Sequence, residues 1–106
     1  MDNQFNQEHA VIIQFNYGIE GLDSLYKLED DLEAVINEKK AGEYDGHEIA
    51  MDNSDGFLYM YGPNAETLFK AVKPILETYK FMIGAKALLR FGPPDSDIKE
   101  IEVDIK

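Results

Sequence analysis

The sequence predicts an α+β domain of order βαββαβ, a ferredoxin-like sandwich in which an antiparallel sheet carries two helices on one face. Two segments, 21–40 and 65–79, repeat apolar residues three and four positions apart, the spacing of amphipathic helices. Short apolar runs bounded by turn residues predict four strands, at 9–16, 43–51, 57–61 and 84–91. Residues 101–105 alternate apolar and acidic, which predicts an extra C-terminal strand.

Residue type supports the first strand and the first helix. Segment 9–16 is rich in β-branched residues, ends at Tyr17-Gly18 and is apolar on both faces, so we expect a central strand. Gly42 is a typical stop signal for the helix that follows. The apolar stripe of that helix consists of Leu22, Leu25, Leu28, Leu32, Val35 and Ile36.

A hairpin and the second helix come next. Residues 52–56 join two extended runs, and their Asp-Gly pair suits the positive φ angles of a tight turn. Asn64 is the expected N-cap of the second helix, and Pro74 should kink that helix near Lys70. The proline-rich turn at 92–95 then leads toward the final strand.

Right-handed crossovers place the first and third strands centrally, with 43–51 at one edge and the last strand beside 84–91. Strand alternation then assigns each side chain to a face. The set expected beneath the helices is Val11, Ile13, Phe15, Ile49, Met51, Leu58, Met60, Ala87, Leu89 and Phe91. The opposite surface, which we call the open face, is expected to carry Ile12, Gln14, Glu48, Ala50, Asp52, Phe57, Tyr59, Tyr61, Lys86, Leu88 and Arg90.

Length and composition predict the organisation and location of the chain. At 106 residues and 44% hydrophobic content we expect one domain, 9–106, after a flexible segment, 1–8. Cysteine is absent, which excludes disulfides, thiolate metal sites and cysteine nucleophiles. The start does not resemble a signal peptide and no apolar stretch is long enough to span a membrane, so we expect a cytoplasmic protein.

The net charge of −11 argues against nucleic acid and anionic membranes as partners, because the field of the protein repels phosphate groups. The acidity serves either solubility or steering toward a basic protein surface, and composition leaves both interpretations open. Aromatic residues on a central strand are similar to the base-stacking platform of the RNA-recognition motif. The run 56–61 has no basic residue, however, which argues against that function.

No motif in the chain assigns a catalytic residue, a metal ligand or a cofactor. The densest polar cluster, Asp45 to Glu48, includes His47 and, with Arg90, suggests a small-molecule or catalytic site as one alternative. The spacing of acidic residues around 52–56 does not follow a calcium-binding loop. A solvated turn at the edge of the sheet is the favoured interpretation of this cluster.

Three motifs carry a resemblance to a known family: Tyr-Asp-Gly-His-Glu-Ile-Ala at 44–50, Leu-Tyr-Met-Tyr-Gly-Pro-Asn-Ala at 58–65, and the segment 84–94 with its Leu-Arg-Phe-Gly-Pro-Pro. The chain resembles a family of small bacterial proteins of unassigned function. The resemblance implies a ferredoxin-like domain and no functional residues. At the level of fold alone, the chain is also similar to acidic ferredoxin-like proteins that bind and inhibit ribonucleases.

The apolar open face predicts a non-enzymatic protein-interaction domain, because large exposed apolar patches usually mark a binding surface. Its occupant is a second copy in a homodimer, another protein, or the N-terminal segment around Phe5. The interaction residues are expected to be Ile12, Gln14, Glu48, Ala50, Phe57, Tyr59, Tyr61 and Arg90. The alternative is an acidic inhibitor or immunity-type protein whose first helix binds a basic toxin or nuclease through Glu29, Asp30, Asp31 and Glu33.

Overall fold

The structure, a computed structural model, describes residues 8–93 and 97–106. Within these ranges the chain forms five strands and two α-helices, which confirms the predicted α+β class and the order of the elements. Most of the predicted flexible segment 1–8, and positions 94 and 95 of the proline-rich turn, lie outside the described residues. The elements are β1 (His9–Asn16), α1 (Asp23–Lys39), β2 (Glu43–Ile49), β3 (Asp55–Gly62), α2 (Ala65–Leu76), a 3₁₀ turn (Lys80–Met82), β4 (Lys86–Arg90) and β5 (Glu100–Asp104).

The sheet has the predicted strand order, β2-β3-β1-β4-β5, and all neighbouring strands are antiparallel. Both helices pack against each other and against one face of the sheet, where their apolar stripes join a single buried core. This is the ferredoxin-like arrangement with an added edge strand. The predicted core residues of β1, β3 and β4 are buried, and Ile49 and Phe91 pack at its margin.

The hairpin between β2 and β3 differs from the prediction. Met51 was expected in the core but is fully exposed, because β2 ends at Ile49 and Met51 lies in the turn. The Ala50 N–H donates to the Asp55 carbonyl oxygen at 2.9 Å, and the Asn53 N–H donates to the Ala50 carbonyl oxygen at 2.8 Å. Asn53, with φ of 60°, supplies the left-handed residue of this turn, a conformation that asparagine tolerates. The expected Asp-Gly turn instead begins β3.

A β-bulge in the edge strand changes which side chains face the helices. The pairing of β2 with β3 shifts between Tyr44 and Gly46, and a bulge places one extra residue on one strand. Tyr44 lies opposite Met60, and His47 lies opposite Leu58, so both side chains face the helices. Strict alternation would have placed Tyr44 and His47 on opposite faces.

Helix α2 begins at a position with two capping interactions. The Asn64 side chain accepts a hydrogen bond from the Thr67 N–H at 3.0 Å, which confirms the predicted N-cap. His9 Nδ1 accepts a second one from the Ala65 N–H, also at 3.0 Å. The helix ends at Leu76, so Pro74 lies in its last turn rather than in a long helix interior.

Candidate interaction face

The centre of the open face is apolar and partly accessible. Ile12 lies directly opposite Tyr59 on β3 and Leu88 on β4, and Phe57 precedes Tyr59 on the same side of β3. The rings of Phe57 and Tyr59 stack, with their centroids 6.2 Å apart and an angle of 23° between the planes. Each of these side chains is half-buried by its neighbours. A continuous apolar patch, extended by Tyr61, therefore remains in contact with solvent.

Tyr59 is tied to the acidic edge of the face. Its hydroxyl group donates a hydrogen bond to Glu48 Oε1 at 2.6 Å. This bond raises the pKa of Tyr59 to about 12, because the carboxylate stabilises the neutral phenol. Glu48, although exposed, is thus hydrogen-bonded beside the aromatic ring.

Acidic side chains lie along both edges of the open face. Among the described residues, the strand register places six acidic residues and two basic residues on this side of the sheet. Lys86 pairs with Asp104, Nζ to Oδ1, at 3.0 Å, and this pairing raises the pKa of Lys86. The face thus has a negative excess. The acidic residues are Glu43, Glu48, Asp55, Glu100, Glu102 and Asp104, and the basic ones are Lys86 and Arg90.

Two shallow depressions flank Phe57, which forms a wall of each. The larger, of about 290 Å³, lies at the hairpin and is lined by Glu48, Ile49, Ala50, Asp55, Gly56 and Phe57. The smaller, of about 110 Å³, lies over the centre of the sheet and is lined by Ile12, Gln14, Phe57, Lys86, Leu88 and Glu102. The smaller lies well below the roughly 300–1,000 Å³ of ordinary ligand pockets and the larger only reaches the lower limit. Because both are shallow, they suit single side chains better than whole metabolites.

The predicted interaction residues lie on this face of the sheet, and two of them, Ala50 and Arg90, lie toward its ends. Ala50 follows the end of β2 and contributes to the larger depression. Arg90 lies at the far end, where its Nε donates to the Gly92 carbonyl oxygen at 2.8 Å. Sequence reasoning missed five acidic members of the face, which are Glu43, Asp55, Glu100, Glu102 and Asp104. Continuing the alternation back from Phe57, and across from Leu88, is the signal that would have found the last four, whereas Glu43 reaches this face because of the bulge.

Of the four acidic residues predicted as contacts on the first helix, two accept hydrogen bonds from other elements and two are exposed. Glu29 Oε2 accepts hydrogen bonds from the Tyr44 hydroxyl at 2.5 Å and from His47 Nδ1 at 2.8 Å. Burial and the bond to Glu29 raise the pKa of Tyr44 well above its usual range. Asp31 accepts a hydrogen bond from the Tyr79 hydroxyl at 2.5 Å. Asp30 and Glu33 are exposed.

The residues of the alternative catalytic site do not come together. His47 faces the helices, Glu48 lies on the open face, and Arg90 is three strands away from both. Asp45 is exposed at the bulge. Among the described residues, no group of three or more histidine, aspartate or glutamate side chains is placed to hold a metal ion.

Comparison with known proteins leaves the family open. No family model, curated protein or solved structure matches the chain significantly. The resemblance to a bacterial family therefore stays a prediction. In the part of the chain that the structure describes, neither helix has the length and apolar character needed to cross a membrane.

Proposed function

We propose that this protein is a non-enzymatic protein-interaction domain that binds a partner protein through the open face. The observation that carries the proposal is the half-exposed apolar patch around Phe57 and Tyr59, enclosed between two acidic edges. An apolar centre with a polar rim is the usual composition of a protein interface. Side chains already ordered by mutual packing also lose less conformational entropy on binding.

The charge of the face favours a basic protein as the occupant over a second copy of the chain. Two copies meeting through this surface would each contribute six acidic and two basic residues of the described chain. The excess of carboxylates remains whatever the rotation between the copies, and opposed like charges disfavour association. A partner that combines apolar residues with lysine and arginine would satisfy both the centre and the edges of the face.

The alternative binding surface is the first helix, with the four acidic residues predicted as contacts. Because Glu29 and Asp31 are engaged by tyrosine hydroxyls, two of the four predicted acidic contacts are partly withdrawn from a partner. This supports the open face as the binding surface. A basic toxin or nuclease remains one class of partner that fits the chemistry of that face.

The proposal can be tested by NMR with a defined probe. ¹⁵N-labelled protein is titrated with a synthetic peptide of alternating lysine and leucine, and separately with its glutamate–leucine counterpart. We expect the basic peptide to shift amide signals of β1, β3 and β4 while sparing α1 and α2. Added salt should weaken the interaction, because exposed charges are screened over about 10 Å at 0.1 M ionic strength.

Two variants and one truncation make the result decisive. Phe57→Ala should abolish most of the shift, whereas Tyr26→Ala, which removes an exposed aromatic residue from α1, should not. Shifts located on the helices, or equal binding of the acidic peptide, would contradict the proposal. A dimer detected by sedimentation would also contradict the proposal if the open face is buried between its two copies. Binding that appears only after removal of residues 1–7 would identify the chain itself as the occupant.

A further inference from the structure

Resting on the proposed function, the geometry points to a subsite for one lysine or arginine side chain of the partner in the larger depression, between Glu48 and Asp55. This subsite lies at the hairpin end of the open face. Phe57, Ile49, Ala50 and Gly56 complete its lining. A basic side chain would place its aliphatic stem against the Phe57 ring and its charged end between the carboxylates.

The strand register places the two acidic residues on the same face of the hairpin. Glu48 lies directly opposite Phe57, and Ala50 is hydrogen-bonded to Asp55 across the same hairpin. Glu48 and Asp55 are therefore diagonal neighbours on one face, a relation that places their Cβ atoms within about 8 Å of each other. Both residues line the depression, so an ammonium or guanidinium group seated there would be attracted by both carboxylates.

The remaining surroundings favour a cation with an apolar stem. No basic residue lines this depression, whereas the smaller depression contains Lys86. Ala50 adds only a methyl group to the lining, and Phe57 offers a ring to a cationic side chain, an arrangement that stabilises lysine and arginine. The Tyr59 hydroxyl group is bonded to Glu48, and the Tyr59 ring stacks on Phe57. The Phe57–Glu48 side of the site is therefore ordered by contacts with Tyr59.

The experiment compares two pairs of substitutions that remove equal charge from opposite edges of the open face. One variant carries Glu48→Gln and Asp55→Asn, and the control carries Glu100→Gln and Glu102→Gln. The dissociation constant of the lysine–leucine peptide is measured for both by NMR titration. We expect a rise of about fivefold or more for the first variant and less than about twofold for the control. An arginine–leucine peptide should give the same ranking.

The outcomes separate this inference from the proposed function. Equal losses in both variants would mean that the peptide responds only to overall charge, which overturns the subsite and leaves the interaction face intact. Failure of the unaltered protein to bind either peptide would overturn both. Amide spectra establish that each variant is folded. If the Glu48→Gln change disturbs the fold, Asp55→Asn alone, at an exposed position, is compared with Glu102→Gln alone.

Discussion

Replacement of Glu29 by alanine tests whether the acidic residues of α1 stabilise the fold or merely add charge. Glu29 accepts hydrogen bonds from Tyr44 and His47 through one carboxylate oxygen, and its side chain is only 16% exposed. If it were a surface charge, its removal from a chain of net charge −11 would relieve repulsion and stabilise the protein. We predict the opposite result.

The magnitude follows from the two hydrogen bonds. A bond to a charged group contributes about 1.5–3 kcal/mol when its partners are buried. The His47 side chain is 27% exposed, so water replaces part of the lost interaction. Two such bonds would give about 3–6 kcal/mol, and this exposure reduces the sum, so we expect Glu29→Ala to lower the free energy of unfolding by about 2–3 kcal/mol. For a domain of this size, that corresponds to a decrease in Tm of about 10 °C.

The matched control is Glu33→Ala, an identical change at an exposed position one turn further along α1. Urea unfolding followed by circular dichroism measures both variants, and Glu33→Ala should stay within about 0.5 kcal/mol of the unaltered protein. Adding Tyr44→Phe completes a double-mutant cycle, for which we expect a coupling of about 1 kcal/mol. A Glu29→Ala variant as stable as the control would refute the structural role of this carboxylate.

Three further predictions concern other local interactions. Because the hydrogen bond to a carboxylate raises the pKa of Tyr59 from 10.0 to about 12, its stabilising effect is complete below pH 10.0 and is lost as the pH rises to about 12. The difference in phenolate absorbance between the protein and its Tyr59→Phe variant should be centred near pH 12, and a midpoint at the ordinary value would disprove this. His9→Phe keeps an aromatic ring but removes the acceptor for the Ala65 N–H, so it should cost about 1 kcal/mol in urea unfolding; an unchanged midpoint would exclude a capping role. Gly62→Ala would bring a methyl group to 2.4 Å from the Ala41 carbonyl oxygen, and we expect a loss of about 2 kcal/mol, which full retention of stability would contradict.

The position of the turn between β2 and β3 could not be predicted from the sequence. The Asp-Gly pair is a strong local turn signal, yet the turn forms earlier, around Asn53, and both residues join β3. The choice between turns of similar local cost is made by long-range pairing. Asp55 and Gly56 align with Asn16 and Phe15 of β1, a contact that local sequence does not reveal.

The candidate site was predictable to the extent that strand alternation is regular. Phe57, Tyr59 and Ile12 could be assigned to one face because β1 and β3 pair without interruption. The bulge in β2 breaks the alternation, so the approach of Tyr44 and His47 to Glu29 could not be read from their spacing. The hydrogen bonds of Glu29 depend on that same bulge, whereas the bond of Asp31 to Tyr79 depends on the packing of the segment after α2.

Hydrophobic periodicity and the handedness of crossovers are enough to predict the class of fold, the strand order and the position of the open face. They do not predict which carboxylates accept hydrogen bonds and which surround the patch at Phe57. Those relations join residues far apart in the chain, such as Glu29 with His47 and Lys86 with Asp104. Whether a hydrogen bond forms depends on differences of a few tenths of an ångström in the distance between donor and acceptor. That distance is set only when helices and strands have packed.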